Sequence, residues 1–255
     1  MATPAYTPGE LMVAAAAREI HDGEIVFVGM RLPLIAFAVA KRTHAPNAIG
    51  LFENGVIRET PAPELLYTMA DPPNLRGATQ TGTMLDVMGL LQQGRVAVGF
   101  LGAAEVDRFG NLNTTWGHRD GHSVRLPGSG GACDIACLAK RTVVLLAHER
   151  RRLVERVNYI TSPGFGSGNG WRSAQGLPPN TGPAAIITTL GVLRFGDDRE
   201  GYLASVHPGV NVEDVLSNAG WTLQVSNDLA ETPPPTVEEL AAIRAIDPQG
   251  FWTHA

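Results

Sequence analysis

The chain has 255 residues, 44% hydrophobic and 18% charged, with a formal net charge of -5. That length can bury a sizeable core in one domain spanning residues 1–255, and the composition is that of an ordinary globular protein. The mild acidity gives no electrostatic reason to expect nucleic acid, and apolar stretches such as Leu32 to Ala40 are too short to span a bilayer.

In chain order, Thr7-Pro8-Gly9-Glu10 predicts a helix start: a capping Thr, Pro in the first turn and Glu three residues after Thr. An Ala-rich helix follows to about His21, and Gly23 ends it. Glu24 to Gly29 reads as a buried strand, Pro33 to Thr43 as an apolar helix and Ile49 to Phe52 as a second strand. Strand, helix, strand is the signature of a parallel α/β sheet. Residues 56 to 81, rich in Pro, Thr and charge, read as a surface excursion. Helix resumes over Thr83 to Gln93 and a strand over Val96 to Leu101. Gly110 to Gly131 and Ser162 to Pro183 are loop-rich, and Thr142 to Ala147 is the clearest central strand. Strands are expected over 184–189, 192–195 and 202–206, and helices over 212–219 and 236–246.

Four segments have the residue types that chemistry needs. Phe52-Glu53-Asn54-Gly55 puts a carboxylate at the end of a buried strand, where open α/β sheets form their ligand crevice. There Glu53 can serve as nucleophile, base or ligand, or simply pair with a cation. Gly55 permits positive φ, and Asn54 can donate a hydrogen bond nearby. Pro127 to Ala132 is a Gly-rich turn ahead of a short helix; it suits an oxyanion or phosphate, or is a packed loop. It lacks the P-loop tail and the dinucleotide spacing. Asp107-Arg108-Phe109-Gly110-Asn111-Leu112-Asn113 reads as a tight turn with side-chain capping, from which Asn113 can face a site. Thr161 to Arg172 is a loop able to close over a ligand or to make a surface contact.

Other chemistries find little support. His118 and His122 are four apart, but flanking glycines and the missing carboxylate argue against a zinc helix. No G-x-S-x-G elbow occurs. Cys133 and Cys137 lack metal or redox spacing and read as small buried residues. The first residues lack a basic segment followed by an apolar one, so no signal peptide is expected. With no disulfide framework, a reducing cytoplasm is the expected compartment.

The order L-F-E-N-G, D-R-F-G-N-L-N, P-G-S-G-G-A, H-E-R-R-R and V-N-Y-I-T-S-P-G-F resembles the beta chain of class I coenzyme A transferases of the glutaconate type. The likeness runs from L-P-L-I-A-F-A-V-A-K-R near residue 32 to A-I-D-P-Q-G-F near residue 245. The resemblance implies a three-layer α/β/α open sandwich with a mostly parallel sheet. It implies that Glu53 is the covalent nucleophile and that Gly128, Gly130 and Gly131 supply an oxyanion site, with Asn54, Gly55 and Asn113 as neighbours. It also implies an alpha-subunit partner, a heterotetramer or larger assembly, acyl-CoA and carboxylic acid substrates, and no metal or redox cofactor. Some family members have lost the glutamate and act as ring-opening hydrolases or decarboxylases. Retention of Glu53 favours transfer, with those activities or a non-catalytic subunit as the alternatives.

Overall fold

In the computed structural model, which describes residues 6–119 and 121–254, helix α1 (Pro8–Ala17) opens with the expected capping box. Glu10 accepts the Thr7 amide at 2.8 Å, and Thr7 Oγ1 accepts the Glu10 amide at 3.1 Å. From Glu10 to Ala17 every residue of α1 is buried, which its all-round small, apolar surface permits. The helix stops four residues short of His21. The Glu19 and Ile20 amides turn to acceptors three residues back, tightening the exit.

Two units make up the chain, the first built from residues up to Phe100 and from Pro233 onward. In it, β1 (Ile25–Phe27), α2 (Leu32–Arg42) and β2 (Ile49–Leu51) form the expected crossover. β1 and β2 are parallel, in register from Ile25↔Ile49 to Phe27↔Leu51. The excursion that follows is more ordered than its composition suggests. It begins as β3 (Val56–Arg58), antiparallel to β2, passes α3 (Pro72–Leu75), and ends as β4 (Gln80–Thr81), antiparallel to β3. Arg58, only 1% exposed, holds it together by donating to the carbonyls of Thr60, Pro61, Asn74 and Arg76. An arginine satisfied by carbonyls looks like a surface charge in sequence, which is why this fold-back was not legible. α4 (Met84–Gln92) starts at Thr83, whose amide and hydroxyl both donate to Asp86, and β5 (Val98–Leu101) lies parallel to β1 on its other side.

The second unit runs from Leu101 to Thr232. The predicted loop region holds β6 (Glu105–Asp107), β7 (Leu112–Asn113) and a hairpin of β8 (Trp116–Arg119) and β9 (His122–Arg125). α5 (Ala132–Leu138), β10 (Arg141–Leu146) and β11 (Leu153–Val154) follow; β11 joins β6 and β7 in a small sheet. After α6 (Trp171–Ala174) come β12 (Pro183–Thr188), β13 (Gly191–Phe195), β14 (Gly201–Val206), α7 (Val212–Ser217) and β15 (Gln224–Glu231). β10 and β12 pair in parallel, as do β14 and β15, and β13 runs antiparallel between β12 and β14. β15 was not expected: Gln224-Val225-Ser226-Asn227-Asp228 has a single apolar residue and lacks the pattern of a buried strand, because it is an exposed edge.

α8 (Val237–Ile246) returns the chain to the first unit. Arg18 clasps Glu239 with two bonds of 2.9 and 2.6 Å, and Arg244 Nε donates to buried Glu10 at 2.7 Å, fixing α8 against α1. The α/β class and the parallel strand pairing expected from the sequence are both present, with antiparallel strands added. Among the described residues no helix is long and apolar enough to cross a membrane.

Candidate active site

β2 ends at Leu51, and the chain reverses through Phe52 to Gly55 into β3. The Phe52 amide donates to the Val56 carbonyl and the Gly55 amide to the Phe52 carbonyl, each at 2.9 Å. Glu53 and Asn54 are therefore the two central residues of a tight turn. Gly55, at φ 98°, is the bulge that closes a three-residue hairpin loop. The glycine answers a second demand as well: a Cβ there would lie 2.5 Å from the Gly82 carbonyl. Asn54 faces away from open solvent, its Nδ2 donating to the Met69 carbonyl at 2.7 Å. Glu53 is half-buried at the carboxyl end of the parallel β1–β2 pair. Such a strand end leaves a side chain projecting into the region where α/β sheets bind ligands.

The other predicted residues belong to the second unit. Asn113 is fully buried, and its amide is completely used. Nδ2 donates to Glu105 at 2.7 Å and to the Trp116 carbonyl at 2.6 Å, while Oδ1 accepts from the Thr115 and Trp116 amides. This shapes the bend from which Thr114 exchanges two bonds of 2.8 Å with Gly128. The structure thus brings Asn113 and Gly128 into one neighbourhood. Gly128 (φ 98°) and Gly130 (φ 49°) have left-handed backbones, and Gly131 caps α5. Among the described residues the Gly130 amide, on an exposed residue, has no protein acceptor, so it is available as a donor.

Asp107 and Asn111 form the side-chain-capped turn the sequence suggested. Asp107 accepts from the amides of Phe109 and Asn111 and from Asn111 Nδ2, and Asn111 Oδ1 accepts from the Gly164 and Gly166 amides. Burial pushes the Asp107 carboxyl up, against the pull of these bonds. The loop over 161–172 is braced: Trp171 packs where a Gly166 side chain would be, and buried Arg172 donates to carbonyls of Gly164, Ala136 and Cys137. Cys133 and Cys137 are half-exposed, not buried, because the short α5 turns only Ile135 and Ala136 inward. The side chain of His118 lies outside the described residues. Among the described residues no cluster of three His, Cys, Asp or Glu side chains is placed to hold a metal.

Two cavities stand out. One, about 20 Å³, is an apolar crevice whose walls include Leu34, Phe37, Phe52 and Leu66. The other, about 530 Å³, is an acidic groove beside Asp197, Asp198 and Glu200, and none of the predicted site residues lines it. Sequence reasoning passed over Arg31, which follows β1 at the same end as Glu53. Its distinguishing feature is a backbone angle, which leaves no mark in composition or spacing.

A family model described as Coenzyme A transferase matches residues 10–218. The beta-type chain of the 3-oxoadipate CoA-transferase of Pseudomonas knackmussii is 40% identical, over 98% of this chain and 96% of its own. The corresponding chain of the glutaconate CoA-transferase of Acidaminococcus fermentans is 35% identical, over 95% of this chain and 93% of its own. A crystal structure of the A. fermentans enzyme superposes with a TM-score of 0.90 at 32% identity, covering 98% of each chain. The decarboxylase AibA/AibB superposes with a TM-score of 0.83, also at 32% identity, over 97% of this chain and 98% of its own. Because the family match spans most of the chain and these relatives align almost end to end, the chain belongs to the coenzyme A transferase family, among its beta-type subunits.

Proposed function

We propose that this chain pairs with an alpha subunit to move CoA between a dicarboxylic acyl-CoA and a carboxylate acceptor, with Glu53 as the residue that becomes acylated. The observation that carries this reading is the position of Glu53 at the apex of a rigid hairpin loop, at the carboxyl end of two parallel strands. The substrate class follows from the 3-oxoadipate and glutaconate transferases that the chain resembles. A heterotetramer or larger assembly is part of the proposal.

The cycle begins when the Glu53 carboxylate attacks the thioester carbonyl, giving a mixed anhydride and CoA thiolate. The thiolate then attacks the γ-carbonyl of Glu53, forming a glutamyl-CoA thioester and releasing the donor carboxylate. An acceptor carboxylate attacks that thioester, and the returning thiolate takes the new acyl group and frees Glu53. Each step exchanges one carboxylate or thiolate for another, so protons and electrons balance without a metal or redox cofactor. Thioester energy is conserved by splitting one transfer into easier acyl exchanges. We assign the Gly130 amide to the developing oxyanion, with Gly128 fixing the turn instead of donating there, since the Gly128 amide already donates to the Thr114 carbonyl. Exclusion of water matters because the anhydride hydrolyses readily.

Incubating the alpha–beta complex with glutaryl-CoA and labelled acetate tests the reading. Labelled acetyl-CoA is expected, and Glu53→Ala and Glu53→Gln should reduce it to background while the complex still assembles. Hydroxylamine added after glutaryl-CoA should modify Glu53. Exchange persisting in Glu53→Ala would end the covalent scheme. A second reading, decarboxylation, is favoured by the match to AibA/AibB. It predicts carbon dioxide release, with no labelled product, when glutaconyl-CoA replaces glutaryl-CoA, because its double bond can take up the electron pair left by the departing carboxyl; free CoA alone would indicate a hydrolase and no turnover a non-catalytic subunit.

A further inference from the structure

Arg31 has a backbone that L-residues rarely adopt, φ 67° and ψ -123°. This is the conformation of the first central residue in a type II′ turn, a place suited to glycine. It is one of three non-glycine residues with positive φ among those described. Asn180 is of a type that tolerates such angles, and Arg199 closes an exposed turn by donating its amide to the Gly196 carbonyl. Arg31 has no such local explanation, and strain of this kind collects where a side chain is needed in one place.

The guanidinium has no internal use that accounts for it. The residue is exposed, and its side chain stacks over Trp252 with the guanidinium carbon 5.4 Å from the ring centroid. Among the described residues no carboxylate or carbonyl pairs with it. Trp252 is itself anchored by donation from Nε1 to the Leu66 carbonyl at 3.1 Å and from its amide to Asp247 at 2.9 Å. A fixed ring under a cation limits the positions the cation can take while leaving its donors free.

The position relative to Glu53 follows from the strand register. Phe27 pairs with Leu51, and the last rung between the strands is Val28 amide to Leu51 carbonyl at 2.9 Å. Beyond it, Glu53 comes two residues after Leu51 and Arg31 three residues after Val28, both leaving the same end of adjacent parallel strands. The walls of the apolar crevice include Phe52, next to Glu53, and Leu34, three residues past Arg31. A carboxylate nucleophile, an apolar surface and a cation without an anionic partner therefore share this strand end. A nucleophile and a cation at one strand end answer the two ends of a dicarboxylic acyl-CoA, its thioester carbonyl and its distal carboxylate.

We infer that Arg31 binds the distal carboxylate of the acyl group and thereby sets the preference for dicarboxylic over monocarboxylic CoA esters. This rests on the proposed transferase reading and names a specificity residue within it. A planar guanidinium can take the carboxylate with two parallel bonds, and the cation offsets the repulsion between that carboxylate and Glu53.

The test compares glutaryl-CoA with valeryl-CoA, which has the same number of acyl carbons and no distal charge, using the alpha–beta complex and acetate as acceptor. In Arg31→Gly the glutaryl-to-valeryl ratio of kcat/KM should fall roughly 10- to 100-fold, the span of a charge-assisted pair, and chiefly through KM. Arg31→Lys should recover part of the ratio. The Gly variant should melt no lower than the wild type, because glycine suits this backbone. An unchanged ratio, or equal losses on both esters, overturns the assignment while leaving the transferase reading intact. If the wild-type complex exchanges neither ester, the transferase reading fails and takes this inference with it.

Discussion

Asn54 donates to the Met69 carbonyl across 15 residues of sequence, so the turn that presents Glu53 is tied to the far side of the 56–81 fold-back. The same carbonyl also accepts from Asn74 Nδ2 at 2.8 Å. Removing Asn54 therefore leaves no orphaned acceptor, and Asn54→Ala should cost only about 1 kcal/mol, a drop in Tm of roughly 2–4 °C. Exchange should fall more steeply, by roughly 10- to 100-fold in kcat, because a small misplacement of a nucleophile is expensive. Thermal melts together with exchange kinetics check this. A melting drop with unchanged kcat would show that the tether serves stability alone.

The turn around Glu53 was legible because each of its residues has a local reason to be there: an apolar strand before it, and a glycine where φ must be positive. The turn at Asp107 and Asn111 was legible on the same grounds, as short polar side chains bonding nearby backbone. Asn113 shows where local reasoning stops. Its residue type permitted a site role, but the bond to Glu105 and the turn at Trp116 that use up its amide are set by pairing between β6 and β7. Arg58 was not singled out because polar residues mark the surface in sequence, yet it lies buried under carbonyls, and β15 was passed over because an exposed edge strand shows no apolar alternation. Arg31 was invisible because strain belongs to a conformation, and a sequence does not print its dihedrals.

Two buried histidines in the second unit give stability a defined pH dependence. His148 Nε2 donates to the Val215 carbonyl at 3.0 Å and His207 Nε2 to the Thr188 carbonyl at 2.8 Å. Their Nδ1 atoms lie 2.9 and 3.0 Å from the hydroxyls of Thr188 and Thr232; Thr232 can donate to a neutral His207 ring, while the Thr188 hydroxyl donates to the Gly191 carbonyl. Burial holds both imidazoles below the ordinary value of 6.5. Between the folded and unfolded values the unfolded chain binds more protons, so their contribution is complete above about pH 6.5 and is lost as pH falls below it. The slope they add can approach about 2.7 kcal/mol per pH unit while both are protonated only in the unfolded chain. Urea midpoints measured from pH 7.5 to pH 5 should decline, and His148→Gln/His207→Gln should flatten that decline. An equally steep decline in the double variant would place the sensitive groups elsewhere.

Cys137 should be a slow thiol despite its partial exposure. Burial first, and then the Cys133 thiol one helical turn away on α5, together raise its pKa to about 11. Arg172 pulls the other way, but it does not offset the burial. Because the thiolate is the reactive form, alkylation of Cys137 by iodoacetamide should rise about tenfold per pH unit from pH 8 and still be rising at pH 10. Peptide mapping by mass spectrometry, with Cys133→Ser as a second protein, follows each site separately. Removing the neighbouring thiol should speed alkylation of Cys137 at any fixed pH. A rate that levels off near pH 9 in the native protein, or one unchanged by Cys133→Ser, would mean that the two sulfurs do not share the environment that α5 gives them.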